Sequence, residues 1–265
     1  MDNTTPPLRP PEVAATFTHR GVAAAYRHRP TYPPETFQIL SGLIVDEPRT
    51  VLDLGCGTGN VTRLLAPLVD RIDAVDMSAV MIDEGKRLPG GSHASIRWFV
   101  GQAEDVELRP PYALATAGDS LHWMDWTVVL PRLAGALSPH GKFAILDVNG
   151  EIAAESEEFR QRRDELIERY TTYRRPVINL LEELERRGLF HEEGRKETEP
   201  VMVRQPADEY VESFHAHAPH ARERMALGEA SAFDSALRAL VLEHAGETVE
   251  LAVRGFVLWG RPLLG

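Results

Sequence analysis

The chain has 265 residues, 43% of them hydrophobic, enough for one large domain or a core domain with a subdomain, so it is no chain too polar to bury a core. A formal net charge of −11 argues against broad, salt-driven binding to nucleic-acid phosphates, which needs a positive surface. A single cysteine, Cys56, excludes an intramolecular disulfide, and no apolar run approaches the length of a membrane span; a soluble cytoplasmic protein, monomer or homodimer, without a membrane partner is expected.

The first twelve residues are rich in proline and polar groups and lack the apolar core of a signal peptide, and residues 1–15 read as a flexible N-terminus. Residues 16–26 read as a short helix. A proline-punctuated turn follows, and a second helix begins near Glu35, where Pro33 and Pro34 suit a helix start because the missing N–H is harmless there.

Val51, Leu52 and Leu54 then suit a buried parallel strand that runs into Gly55, Cys56, Gly57, Thr58 and Gly59. Glycines at this spacing can take positive φ and let a ligand lie against main-chain atoms, with a helix starting near Asn60. Cys56 reads as a small, buried and inert thiol within that turn. The next apolar run, RIDAVD, ends at Asp76, 19 residues after Gly57, where a carboxylate can accept hydrogen bonds from both hydroxyls of a ribose. A dinucleotide fold would want a glycine where Asn60 stands, and Asp53, two residues before the first glycine, would repel phosphate. The pattern favours a nucleoside ligand with a positive end and no phosphates, as S-adenosylmethionine (SAM) is.

The strand and helix alternation continues. Residues 61–68 form a helix and 72–75 a strand; Ser78 caps a helix over 79–87, which Pro89, Gly90 and Gly91 stop. Strands are expected at 95–100, 112–117 and 142–147, with a helix over 128–137. In open α/β sheets ligands sit outside the carboxyl ends of the strands, so the stretch 118–126, with two tryptophans, a histidine and two acids, is the place for chemistry. His122 is the base candidate, since its unperturbed pKa of about 6.5 suits proton transfer; a pocket-wall role is the other reading. Trp123 and Trp126 either shape an acceptor pocket or belong to the core.

From 150 to 188 the composition becomes charged helix: Phe159, Leu166, Ile167, Tyr170 and Tyr173 share a face, Pro176 breaks the pattern, and Leu180, Leu181 and Leu184 resume it. A strand at 201–204, helices at 207–215 and 232–244 and a final strand at 248–258 complete the chain. The run HAHAPH, with His215, His217 and His220, reads as a solvated polar segment, and neither it nor Asp147-x-Asn149 has the partner acids of a metal site, so no metal is expected.

The acid and GxGxG pattern of Asp53 to Gly59, with Asp76 in register, resembles the first motifs of the class I SAM-dependent methyltransferases. Tyr26-x-x-Arg29-Pro30-x-Tyr32-Pro33 and Leu121-His122-Trp123 are similar to stretches of the small-molecule group, which includes trans-aconitate and juvenile-hormone-acid methyltransferase-like enzymes. The resemblance covers residues 20–148. It implies a Rossmann-like α/β fold: a seven-stranded, mostly parallel sheet, last strand antiparallel, with helices on both faces. A SAM-binding core over 16–150 would be followed by a helical cap over 151–200, unless that stretch is a solvated hairpin, and by a C-terminal completion over 201–265. SAM would be the cofactor and S-adenosylhomocysteine (SAH) its product. Tyr26 and Arg29 would close on SAM, Arg29 through the methionine carboxylate, unless they form only a basic surface turn. Asp53, Gly55, Cys56, Gly57 and Gly59 would form the turn and Asp76 would hold the ribose. Met77 would lie against adenine or in the core, and Gln102, Ala103 and Glu104 would hold the adenine edge. Asp119 and Ser120 would border the methionine end. The implied reaction is methyl transfer to an O or N atom, or a carboxylate, of a small molecule. A SAM-binding cyclase or pericyclase that transfers no methyl group, or an RNA or protein methyltransferase, are the alternatives.

Overall fold

The computed structural model describes residues 10–174 and 179–264; the predicted helix break at Pro176 lies outside them. Helices α1 (Pro11–Ala14), α2 (Arg20–Ala25) and α3 (Pro34–Leu43) lead into strand β1 (Thr50–Leu54). Then come α4 (Thr62–Leu65), β2 (Arg71–Asp76), α5 (Ala79–Arg87), β3 (Ile96–Val100), β4 (Tyr112–Gly118), α6 (Trp126–Ala136) and β5 (Leu137–Ile152). The remainder is α7 (Glu157–Arg169), α8 (Leu180–Arg186), β6 (Phe190–Glu197), β7 (Val201–Pro206), α9 (Ala207–Ser213), α10 (Glu229–Ala245) and β8 (Thr248–Pro262). The N-terminal stretch expected to be flexible is helical from Pro11, and the helix expected over 16–26 is interrupted at His19, whose ψ of 138° is extended.

The sheet order is β3-β2-β1-β4-β5-β8-β6, with β7 also paired to β8. Strands β1 to β5 pair in parallel, and β8 runs antiparallel to β5, β6 and β7. The parallel sheet with an antiparallel last strand is as expected, but among the described residues the sheet has eight strands rather than seven. The extra one, β6, lies within the stretch read as cap: FHEEGRKE carries a single apolar residue, so no hydrophobic alternation announces it. It covers the second half of β8 and β7 the first, because β8 is long enough for two partners in succession.

Two apolar layers sandwich the sheet, as the period-two alternation of strand side chains requires. Leu52, Ala115 and Phe143 face α6 and α8; Val51, Leu114 and Ala144 face α3. A third core joins Ile152 of β5 and Leu251 and Val253 of β8 to Phe159 of α7, Tyr210 of α9 and Phe233 of α10. The stretch expected to form a helical cap packs in two places. Helix α7 packs with the C-terminal α9 and α10, whereas α8 sends Leu184 into the main core. His215 and His220 are buried in this layer rather than solvated, His215 bonding the His220 carbonyl through Nδ1 at 2.7 Å and Asp234 through Nε2 at 2.6 Å.

Candidate functional site

The turn after β1 holds Gly55, Gly57 and Gly59 at φ of 64°, 56° and 81°, the left-handed region that favours glycine. The three have different duties. A Cβ on Gly55 would come within 2.5 Å of Ser120 and one on Gly59 within 2.5 Å of Trp98, so these two allow close packing. At Gly57 the nearest atom is Tyr26 at 3.7 Å, and this glycine opens on a cavity of about 270 Å³. Gly55, Cys56, Asp53, Asp76, Met77, Gln102, Ala103, Glu104, Asp119, Ser120 and Trp123 line the cavity with Tyr26 and Arg29; Gly59 does not, and its place is under Trp98.

Asp76, at the end of β2, accepts the Gly57 N–H at one oxygen and the Ser78 N–H at the other, both at 2.8 Å. Burial raises its pKa against the pull of those two bonds. Asp53 is deeper, 1% exposed, between Thr62 Oγ1 at 2.5 Å and Thr116 Oγ1 at 2.9 Å. Burial pushes it up to about 6, opposed by the two hydroxyls. Burial, with Asp76 and Asp53 nearby, also pushes the Cys56 thiol well up, which keeps it protonated and a poor nucleophile.

Strand β4 delivers Asp119 in a left-handed conformation, φ 48°, uncommon outside glycine although aspartate tolerates it. Its Oδ2 accepts a 2.9 Å bond from Arg29, whose other terminal nitrogen donates to the Tyr26 hydroxyl at 3.2 Å while its plane lies 5.1 Å from the Tyr26 ring centroid. Burial would raise the Asp119 carboxyl, but Arg29, His122 and His217 outweigh it and hold the group down to about 2. The bonds to Asp119 and Tyr26 use two of the five N–H donors of the Arg29 guanidinium. Ser120 donates to the Leu54 carbonyl at 2.7 Å, and Glu104 accepts the N–H of Asp125, the N-cap of α6, at 2.8 Å. The loops after β3 and β4 are thereby tied together.

The three aromatic candidates separate. Trp123 lines the cavity, edge to face with Phe17 at 5.2 Å. His122 instead lines a second cavity of about 480 Å³ that shares Asp119 and Ser120 as its wall, its Nε2 standing 4.0 Å from Asp119 Oδ1. Trp126 lines neither: 4% exposed, it donates its indole N–H to the Leu121 carbonyl at 2.8 Å and belongs to the core. Residues that sequence reasoning did not single out also line the first cavity, among them Phe17, Tyr32, Thr58, Asn60 and Met124. Tyr32 stood within the Tyr26-to-Pro33 pattern, whereas nothing in the local pattern marks Phe17.

No helix among the described residues is long and apolar enough to cross a membrane, and none of their His, Cys, Asp and Glu side chains form a group of three able to hold a metal ion. Residues 51–141 match the family model described as a methyltransferase domain. The chain is 35% identical over 83 residues to a malonyl-[acyl-carrier protein] O-methyltransferase of Anoxybacillus flavithermus, covering 31% of each. It is 34% identical over 128 residues to a trans-aconitate 2-methyltransferase of Pseudomonas aeruginosa, covering 46% of this chain and 42% of that one. The chain thus matches less than half the length of these relatives. Among solved structures, a protein described as a type II methyltransferase from Anaeromyxobacter dehalogenans superposes with a TM-score of 0.64 at 24% identity over 88% of this chain and 97% of that one. The [4+2]-cyclase SpnF superposes at 0.56 and 17% over 98% of both, so the fold alone is common to enzymes of different reactions. Over residues 51–141, which hold the glycine turn, its two acids and strands β2 to β4, the chain is thus similar to a methyltransferase domain.

Proposed function

We propose that the first cavity binds SAM and that the chain transfers its methyl group to an oxygen or nitrogen atom of a small molecule. The observation that carries this is one wall in which the open Gly57, the Asp76 carboxylate and the Arg29–Asp119 pair converge. It offers a carboxylate for ribose hydroxyls and a guanidinium for a ligand carboxylate. Two buried acids beside the turn disfavour a phosphate there. SAM supplies a methyl group on a sulfonium that departs as a neutral thioether.

The rest falls to the protein. Asp76 would accept the ribose hydroxyls, Arg29 would hold the methionine carboxylate, and Met77 with Gln102, Ala103 and Glu104 would flank the adenine. Phe17, Tyr26 and Trp123 would exclude water from the reacting atoms, which must stay in line. His122, across Asp119, would take the proton that a hydroxyl or ammonium acceptor loses. The name of the malonyl-[acyl-carrier protein] O-methyltransferase favours O-methylation. An acidic chain supports a small-molecule acceptor over a nucleic acid, and its one buried free cysteine fits a reducing compartment such as the cytoplasm. The protein would act as a monomer or homodimer.

Calorimetric titration with SAH, with NADH as control, tests the cofactor. Binding of SAH alone is expected, and failure of SAH to bind the folded protein overturns the proposal. The mass of the acceptor product then separates methyl transfer, a gain of one CH2, from a rearrangement of unchanged mass.

A further inference from the structure

The second cavity bears on what the acceptor is. It shares Asp119 and Ser120 with the cofactor cavity and lies along the end of β4 and the middle of β5. Its body is apolar, built by Leu121, Ile145, Leu180, Phe256 and Leu258. Two cations reach it from β6, and each already has a carboxylate: Arg195 donates to Glu192, and Lys196 meets Glu35 at 2.5 Å. Three acids line it as well: Asp119, paired with Arg29, Glu197, which faces Arg254 at 3.5 Å, and Asp147 of β5, which accepts the Val148 N–H at 2.8 Å. A polycarboxylate would have to take Arg195 or Lys196 from its present partner and lie beside Asp147. Desolvating such an anion without a counter-charge is costly.

We infer that this cavity is the acceptor site and that it takes an uncharged, largely apolar molecule bearing a hydroxyl group, unlike the anionic acceptor named in a trans-aconitate 2-methyltransferase. The inference rests on the methyltransferase reading above. An un-ionised hydroxyl, unlike a carboxylate, must lose a proton as it is methylated, and the His122 imidazole, a stronger base than the lining carboxylates, is the group suited to receive it. The hydroxyl proton passes to the His122 ring. The acceptor oxygen forms the new bond to the methyl carbon, and the electron pair of the broken carbon–sulfur bond stays on sulfur.

The test uses the full chain saturated with SAH, whose own binding is measured first, so that failure of the cofactor reading is seen separately. With SAH bound, 2-naphthol is titrated by its fluorescence and trans-aconitate by calorimetry. The naphthol is expected to bind at least tenfold more tightly. Leu180→Trp and, as a second variant against a folding artefact, Phe256→Trp should each weaken naphthol binding at least tenfold while leaving SAH affinity within twofold. Naphthol that fails to bind, trans-aconitate that binds as well or better, or naphthol binding indifferent to both tryptophans would overturn the inference.

Discussion

Asp53 carries an electrostatic cost that can be measured. Its folded pKa, pushed up to about 6 from 3.8, means that the folded chain holds this proton more tightly than the unfolded chain does. The associated stability is present below about pH 4 and is lost as pH rises through 6, a loss of about 3 kcal/mol by pH 7. Asp53→Asn removes the titration, and the threonine hydroxyls can rotate to serve an amide. Thermal melts over pH 4 to 7.5 should show the variant gaining on the parent as pH rises, with SAH affinity reduced; parallel profiles would refute the buried titration. Asp76 poses a simpler test. Hydrogen bonds to a charged group contribute about 1.5–3 kcal/mol each, so Asp76→Ala should weaken SAH binding at least tenfold by calorimetry. Gly57→Val should abolish it by filling the opening beside Tyr26. Retained binding in a folded Gly57→Val protein would mean that the turn is only a turn.

At the scale of elements, the N-terminal segment is strapped over the first cavity by bonds to α5 and β7. Ser78 donates to the Phe17 carbonyl at 2.8 Å, Gln205 to the His28 carbonyl at 2.7 Å, and Arg27 meets Glu84 at 2.5 Å. With Arg29 on Asp119 the segment is poised over the cavity, and SAH should slow amide hydrogen exchange over residues 16–29 at least tenfold, more than elsewhere outside the glycine turn. Unchanged exchange there would remove the segment from the binding site. Arg29→Lys keeps the charge but loses the planar fork, and should weaken SAH at least tenfold. The contrast between legible and illegible elements has a physical source. The β1 turn and Asp76 were readable because their signals are local: a buried apolar strand, glycines at fixed spacing and an acid one strand later. Strand β6 was not, since its backbone pairing with β8 needs no apolar side chains, and at Gly194 it takes its packing from Trp259. Trp123 and Trp126 stand three residues apart at the start of α6, and only the tertiary packing of α6 on the sheet sends one to the cavity and the other to the core. Nor could a local pattern show that the cap joins α7 to helices that lie beyond two further strands.

For the whole molecule the question is whether the cap layer and the cofactor layer are energetically one body. Ten registered pairs join β5 and β8, from Phe143 with Gly260 to Ile152 with Leu251. One end of this ribbon supplies Phe143, Ala144 and Val257 to the main core; the other supplies Ile152, Leu251 and Val253 to the cap core. Melting the cap would strip one end of a continuous two-stranded ladder and expose buried Phe159 and Phe233, so the two layers should unfold together. A single calorimetric transition is expected. SAH at a hundred times its dissociation constant should add about 2.7 kcal/mol to it. For a chain of this size that raises the midpoint by about 5 to 10 °C, moving the whole transition together. A melt in two steps, of which SAH moves only one, would show instead that the long strands are shared in geometry but not in stability, and that α7, α9 and α10 open independently of the cofactor cavity.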